Sequence, residues 1–248
     1  MGYLWSIYQD GIGLEQMESD WHVLSWSAKW LGAPANEVMY QDQRNAKNIE
    51  DDKQLLKGIW NLLNEADVVV TQNGKKFDAK KLNARFIING FKPPSATKHI
   101  DTLEIAKKYF GFTSNKLAYM SDKLCKRYKK LEHEKFAGFK LWRECLKGNR
   151  AAWKEMEKYN KHDVLALEEL YGKMIPWDNR INFSVYSDGK GMVCSCGSKK
   201  FKKNGVVYTA LDKFQRYRCD SCGAERRGSS SLLAKGVKKR LGRNIPRE

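Results

Sequence analysis

The chain is 248 residues long, with 46 Lys and Arg against 29 Asp and Glu, a formal net charge of +17. That length can bury a sizeable core and fits one large domain or two smaller ones, while the charge points to a polyanionic partner, nucleic acid ahead of an anionic membrane surface. No apolar run approaches the ~20 residues needed to cross a bilayer, and the first thirty residues mix Trp and charge instead of forming the apolar stretch of a secretory leader.

Residues 1–20 read as an irregular loop. Residues 22–31 and 38–41 read as two strands, with Gly32, Ala33 and Pro34 turning between them. Leu55, Leu56, Ile59, Trp60 and Leu63 recur at helical spacing, so residues 51–64 predict an amphipathic helix. Val68, Val69 and Val70 predict a strand buried on both faces, which ends in Thr71-Gln72-Asn73-Gly74. A helical pattern follows from Phe77 and Asp78, with Leu82, Phe86 and Ile87 on one side and Gly90, Pro93 and Pro94 as the stop. Asp78 therefore stands where a strand hands over to a helix, the place where α/β sheets put their chemistry. Residues 99–103 read as a strand end whose Asp101 caps a helix over 102–110. Residues 117–124 predict another helix, and 126–130 a solvated charged face. Residues 150–173 carry the strongest helical signal, with apolar Met156, Val164, Leu165, Leu167 and Leu170 and a break near Asn160. Residues 176–180 punctuate the end of this region, and 184–191 read as a linker. Strand, strand, helix, strand, helix predicts an α/β fold with a mixed sheet.

Beyond residue 184 the character changes. That last quarter holds 16 Lys and Arg against 5 Asp and Glu, so a surplus of 11 positive charges lies there. Cys194-Ser195-Cys196-Gly197 and Cys219-Asp220-Ser221-Cys222-Gly223 form two Cys-turn-Gly knuckles, and four thiolates suit a closed, structural tetrahedral Zn²⁺ site. The competing reading is four buried or free thiols. Cys125 and Cys145 stand apart from this cluster, an arrangement that suits a reducing compartment better than a disulfide framework. Residues 206–209 and 214–218 alternate like hairpin strands. Lys199, Lys200, Lys202, Lys203, Arg216, Arg218, Arg226 and Arg227, interleaved with Phe201, Tyr208 and Tyr217, suit phosphate contact and base stacking; a solvated basic appendage is the alternative. Ser229, Ser230 and Ser231 read as a flexible joint, and residues 235–247 as a poorly ordered basic tail. The segment from Lys213 to Cys219 resembles zinc ribbons attached to transposases and DNA-processing enzymes.

Two motifs carry chemistry. Asn73-Gly74-Lys75-Lys76-Phe77-Asp78 brings a carboxylate to a sheet edge, and Tyr159-Asn160-Lys161-His162-Asp163 places a phenol and a carboxylate four apart on one helix face. Together they could hold a divalent metal and orient a water. In this order they resemble the DnaQ-like 3′–5′ exonucleases of ribonuclease H-like fold, in the tyrosine-bearing DEDD class, close to the YprB-type domain found in phage genomes. The resemblance covers residues 2–176. It implies two-metal phosphodiester hydrolysis with Mg²⁺ or Mn²⁺, Asp78 and Asp163 as metal ligands, Tyr159 positioning the attacking water, and Asp101 supporting the fold. Asn73, Lys75 and Lys76, with Lys80, Lys81 and Arg85, become candidate contacts to nucleic acid, as do Arg216 and Arg218. The implied division is a nuclease domain over 1–183, a zinc ribbon over 184–228 and a basic tail over 229–248. The implied partners are nucleic acid, DNA ahead of RNA, and replication or repair proteins, with no membrane, in the cytoplasm of a bacterium or phage-infected cell. The family's first motif, Asp-x-Glu on the first strand, is not present. Gly2, Tyr3, Leu4 and Trp5 resemble the segment that follows it, while Asp10, Glu15 and Glu18 do not form it. The expectation is a longer reading frame that supplies this motif and a central strand. The rival classes are a catalytically inactive nucleic-acid-binding protein and a transposase- or recombinase-like enzyme, which would need a strand-borne acidic triad.

Overall fold

The structure is a computed structural model that describes residues 13, 15, 17, 19–129, 135–178, 180–186 and 191–242. Asp10, Glu18 and the Gly2 to Trp5 segment lie outside the described residues, as do Lys130, Asn179, residues 187–190 of the linker and the tail from 243 on. The chain forms two compact units, Met1–Tyr171 and Gly172–Glu248. Among the described residues no helix is long and apolar enough to cross a membrane.

The first unit is a mixed α/β assembly of helices and small sheets. Strands β1 (Ser25–Ala28) and β2 (Met39–Asp42) pair antiparallel, from Ser25 opposite Asp42 to Ala28 opposite Met39. Helix α1 (Lys53–Glu65) follows and buries Leu55, Leu56 and Ile59, the face its periodicity announced. Those side chains form a core with Val23 and Phe86, and Trp26 closes over them by donating its indole N–H to the Leu55 carbonyl at 3.0 Å. Strand β3 (Val68–Thr71), helix α2 (Asp78–Ile88) and strand β4 (Lys98–Asp101) make a parallel strand–helix–strand unit, with Val68 opposite Lys98 and Thr71 opposite Asp101.

Three expectations change here. The mixed sheet is two separate two-stranded ribbons among the described residues. Val68, Val69 and Val70 are accordingly half-buried and not enclosed on both faces, because β3 pairs only with β4 and its other edge meets no described strand. On α2, Phe86 is buried but Ile87 is 77% exposed. A step of 100° per residue turns Ile87 off the face that Leu82 and Phe86 share.

Helix α3 (Thr102–Tyr109) begins on Asp101, which caps it, and α4 covers Leu117–Leu124. A short helix that the sequence did not announce, α5 (Lys140–Leu146), packs Leu141 and Cys145 against Ala152, Trp153 and Met156 of α6 (Arg150–Met174). Helix α6 runs unbroken through Asn160. The Asn160 side chain leaves the helix and donates to Ser25 Oγ at 2.6 Å, while its carbonyl accepts from Ser27 Oγ at 2.8 Å, so the residue ties the helix to β1.

The second unit is built on a three-stranded antiparallel sheet, β5 (Phe201–Tyr208), β6 (Lys213–Cys219) and β7 (Glu225–Ser231) in that order. Gly205, at φ 74°, sits in the bulge between Lys203 and Val206 where the β5–β6 register slips. Ser229, Ser230 and Ser231 belong to β7 and do not form a joint. The tail begins with a single helical turn, α7 (Lys235–Lys238), whose Lys238 reaches Asp212 at 2.5 Å. The described part of the linker is a 3₁₀ turn over Phe183–Tyr186, and Ser184 Oγ clasps both the N–H and the carbonyl of Val193, at 2.8 and 3.0 Å.

Candidate active site and metal centre

The turn after β3 is built to present one carboxylate. Asn73 takes the left-handed conformation, φ 62°, which Asn tolerates better than most residues. Gly74 is buried so close to Thr71 that an added Cβ would stand 2.6 Å from the Thr71 Cβ. Asp101, 1% exposed, reaches across from β4: Oδ1 accepts from the Asn73 N–H at 2.8 Å and the Leu103 N–H at 2.9 Å, and Oδ2 from the Lys75 N–H at 3.3 Å. Its acceptor capacity is thus spent on pinning the turn and capping α3. Thr102 bridges to the Thr71 carbonyl at 3.0 Å, and Gln72 Nε2 donates to the Asn115 carbonyl at 2.9 Å. On this frame Asp78 is the first residue of α2, and the Ala79 N–H returns to the Gly74 carbonyl at 2.8 Å.

Desolvation pushes the Asp78 carboxyl above the ordinary carboxylate range. Its own backbone N–H works against that rise, the Asp101 charge adds to it, and His99 opposes it. Asp78 nevertheless keeps an exposed surface. The two observations fit a carboxylate that solvent touches on one side while protein replaces bulk water on the others. His99, two residues before Asp101 on the same face of β4, pairs its Nε2 with Thr71 Oγ1 at 2.7 Å, and burial pulls its imidazole pKa down. His99 escaped the sequence reading; the spacing to Asp101 was its one available signal.

Tyr159 and Asp163 lie one turn apart on α6, both half-buried, with Asp163 Oδ1 fully shielded from solvent. The Tyr159 ring meets Trp142 edge-on, centroids 6.5 Å apart. Further along the same helix, Glu169 accepts from three successive N–H groups, Lys126, Arg127 and Tyr128, at 2.7 to 3.0 Å. The Lys129 carbonyl bonds His162. Among the described residues the four cysteines are the one group of three or more His, Cys, Asp or Glu with ligand atoms within 4.8 Å of one another. The structure therefore brings Asp78 together with Asp101 and His99, and Tyr159 with Asp163, and among the described residues neither Asp78 nor Asp163 belongs to a tight group of three or more such ligands.

The four cysteine sulfurs lie within 4.8 Å of one another, close enough for a tetrahedral site. Cys194 Sγ and Cys222 Sγ are 3.4 Å apart, and Cys196 Sγ and Cys219 Sγ 3.7 Å. Four sulfurs each about 2.3 Å from a zinc ion stand roughly 3.8 Å apart, so the cluster could hold Zn²⁺ with little adjustment. At Cys219 burial is outweighed by the Cys222 and Ser221 N–H groups and by the neighbouring thiols of Cys194 and Cys196, which bring its pKa down to about 6. Burial pushes the isolated Cys145 thiol up to about 12, the behaviour of a core residue.

The candidate phosphate contacts divide. Lys76 and Lys80 are exposed, Lys75 is paired with Glu104 at 3.3 Å, and Lys81 lies 4.9 Å over the Trp21 ring. Arg85 drops out, because its guanidinium is spent on buried Asp52, Nη2 to Oδ1 at 2.7 Å and Nε to Oδ2 at 2.9 Å. In the ribbon, Arg218 is exposed, and Arg216 donates to the Asn204 carbonyl at 2.6 Å.

No curated protein matches the chain. A protein-family model described as RNase_H superfamily matches residues 30–175, more than half of the 248. That span runs from just past β1 to the end of α6 and takes in Asp78, Tyr159 and Asp163. On that match and this strand–helix–strand frame, the chain belongs to the RNase H superfamily, which makes nucleic acid its substrate class and nuclease-type chemistry its activity class.

Proposed function

We propose that the chain is a metal-dependent 3′–5′ exonuclease acting on nucleic acid, DNA ahead of RNA. The observation that carries this reading is Asp78, held on a pinned turn at the start of α2, in a superfamily chain whose long helix carries Tyr159 and Asp163 one turn apart. Asp78 and Asp163 offer hard oxygen donors. Mg²⁺ or Mn²⁺ suits such a pair, since these ions keep waters and substrate phosphates in their remaining positions. Desolvated Asp78 is short of counter-charge, which a cation would supply. Bound divalent ions contribute charge neutralisation on the phosphoryl oxygens and a lowered pKa for the attacking water. The chain's own groups do the rest: the Tyr159 phenol would orient that water by hydrogen bonding, exposed Asn73 and Lys76 would contact the nucleic-acid strand, and Asp101 holds their turn in place.

Residues 1–183 would carry the nuclease and 184–228 a Zn²⁺ ribbon that grips the polymer, its last strand continuing to Ser231. Residues 232–248 would extend the basic surface, and replication or repair proteins are the fitting partners. The test is polarity. Single-stranded DNA labelled at its 5′ end should shorten stepwise with Mg²⁺ or Mn²⁺, and a phosphorothioate at the 3′-terminal linkage should stall it. Internal cuts, or shortening from the 5′ end, would contradict the reading. A second reading, a nucleic-acid-binding protein without hydrolysis, is favoured by one observation: among the described residues neither Asp78 nor Asp163 belongs to a tight group of three or more His, Cys, Asp or Glu ligands.

A further inference from the structure

The ribbon sheet has two unlike faces, and its register says which residues share each. Side chains directly opposite across a ladder lie on the same face, and so do residues two apart along a strand. Lys202 is opposite Arg218, Arg218 opposite Glu225, Arg216 opposite Arg227, and Phe214 opposite Val207 and Ser231. Lys202, Arg216, Arg218, Arg227 and Phe214 therefore share one face, with Glu225 as its carboxylate. The other face holds Phe201 opposite Cys219 and Lys203 opposite Tyr217, which is in turn opposite Arg226. That second face belongs to the cysteine knot: Phe201 packs on Cys194, Cys219 and Ala224, and Arg226 bonds Ser195 between the first two cysteines.

The first face is paired against its own stability. Arg216 and Arg227 sit directly opposite each other, as do Lys202 and Arg218, and like charges in such pairs are destabilising. Only part of that repulsion is answered, by Glu225 at 3.8 Å from Arg216 and Asp220 at 3.8 Å from Lys202. The guanidiniums are also held in place: Arg227 lies 4.2 Å over the Phe214 ring, and Arg216 is anchored on the Asn204 carbonyl. Fixed, crowded, partly exposed guanidiniums beside an aromatic ring suit a chain of phosphates, because a polyanion relieves the repulsion and Arg forks match phosphate oxygens.

We propose that this face, with Arg216 and Arg227 at its centre flanked by Lys202 and Arg218, is the track for the nucleic-acid backbone, and that the opposite face is structural. The proposal rests on the reading that the chain acts on nucleic acid and adds to it the division of the ribbon's basic residues into one contact face and one structural face. It is tested with the zinc-loaded full chain and a fluorescein-labelled 20-nucleotide oligothymidylate, by anisotropy across a salt series, without added Mg²⁺ or Mn²⁺ so that hydrolysis plays no part. The double substitution Arg216→Gln and Arg227→Gln should weaken binding at least tenfold and flatten the slope of log affinity against log salt by ~1.4, the value for two lost contacts to a single strand. Lys203→Gln, on the other face, should change affinity less than twofold. Unchanged zinc content in both proteins shows that the ribbon is intact. Equal losses in the two proteins, or no loss in the double substitution, would overturn the proposal. An oligouridylate arm reads whether DNA and RNA share the track. A chain that binds through this face yet hydrolyses nothing would refute the exonuclease reading alone.

Discussion

At Asp52 a carboxylate with no exposed surface accepts from Arg85 Nε and Nη2 and from the Val23 N–H at 2.8 Å, with Asn89 at 3.4 Å. A buried, fully bonded charge stabilises little by itself, but removing one partner strands the other. Asp52→Ala should therefore cost about 3–5 kcal/mol in a urea titration, since the Arg85 side chain is 11% exposed and gives both Nε and Nη2 to Asp52. No sequence signal could show this clamp, because its partners lie 29 to 37 positions from Asp52 along the chain. Asp78 was legible because a β-branched run, a glycine turn and a carboxylate fall in one short stretch. Its environment was not legible, since it depends on Asp101 and His99 arriving from β4. That environment makes a prediction with a definite sign. A carboxyl raised in the folded state binds its proton more tightly there than in the unfolded chain, so it lowers stability as pH rises above the ordinary value of 3.8. Without divalent metal, Asp78→Asn should raise the thermal midpoint at pH 7, and the gain should shrink towards zero as pH falls towards 4. A gain that does not depend on pH would contradict the desolvated carboxylate.

The elements that could be read from sequence are those whose own residues decide them. Helices α1 and α4 and strand β3 lie within two residues of their expected limits because periodicity, β-branching and stop residues all agree. Strand β7, Glu-Arg-Arg-Gly-Ser-Ser-Ser, has no apolar alternation, and its existence depends on pairing with β6 and on Arg227 over Phe214. Helix α6 was expected to break at Asn160; the side chain that disfavours helix is instead spent on Ser25 of β1. Further along α6, Glu169→Gln replaces a charged acceptor for three N–H groups by a neutral one. The amides of Lys126, Arg127 and Tyr128 should then exchange with deuterium about tenfold faster, corresponding to about 1.4 kcal/mol of lost protection. Unchanged exchange there would show that other contacts hold the loop. The ribbon is a small sheet whose buried cluster is Cys194, Cys219 and Ala224, too little to hold it by apolar burial. Treating the zinc-loaded chain with a chelator should unfold residues 191–231 while leaving the α1 helix protected, as read by hydrogen exchange, and added Zn²⁺ should restore it.

At the scale of the whole molecule, charge and family agree. A net charge of +17 concentrated towards one end of the chain calls for a polyanionic partner, and an RNase H superfamily domain over residues 30–175 makes that partner nucleic acid. The charge was read from composition alone. The fold class followed from the order of strands and helices, but the division of the sheet into two ribbons did not, because strand pairing is a long-range property. Association should weaken steeply with salt, since phosphate contacts release condensed counterions. Hydrolysis is the central claim, and it depends on Asp78 and Asp163 acting together on one phosphodiester. The most direct measurement is turnover of 5′-labelled single-stranded DNA with Mn²⁺ by three proteins: the unaltered chain, Asp78→Asn and Asp163→Asn. The account predicts stepwise 3′ shortening by the first, a loss of at least a hundredfold in each of the others, and DNA affinity unchanged within twofold in all three. An unaltered chain that binds DNA but leaves it intact, or an Asp163→Asn protein that cleaves at the same rate, would contradict it.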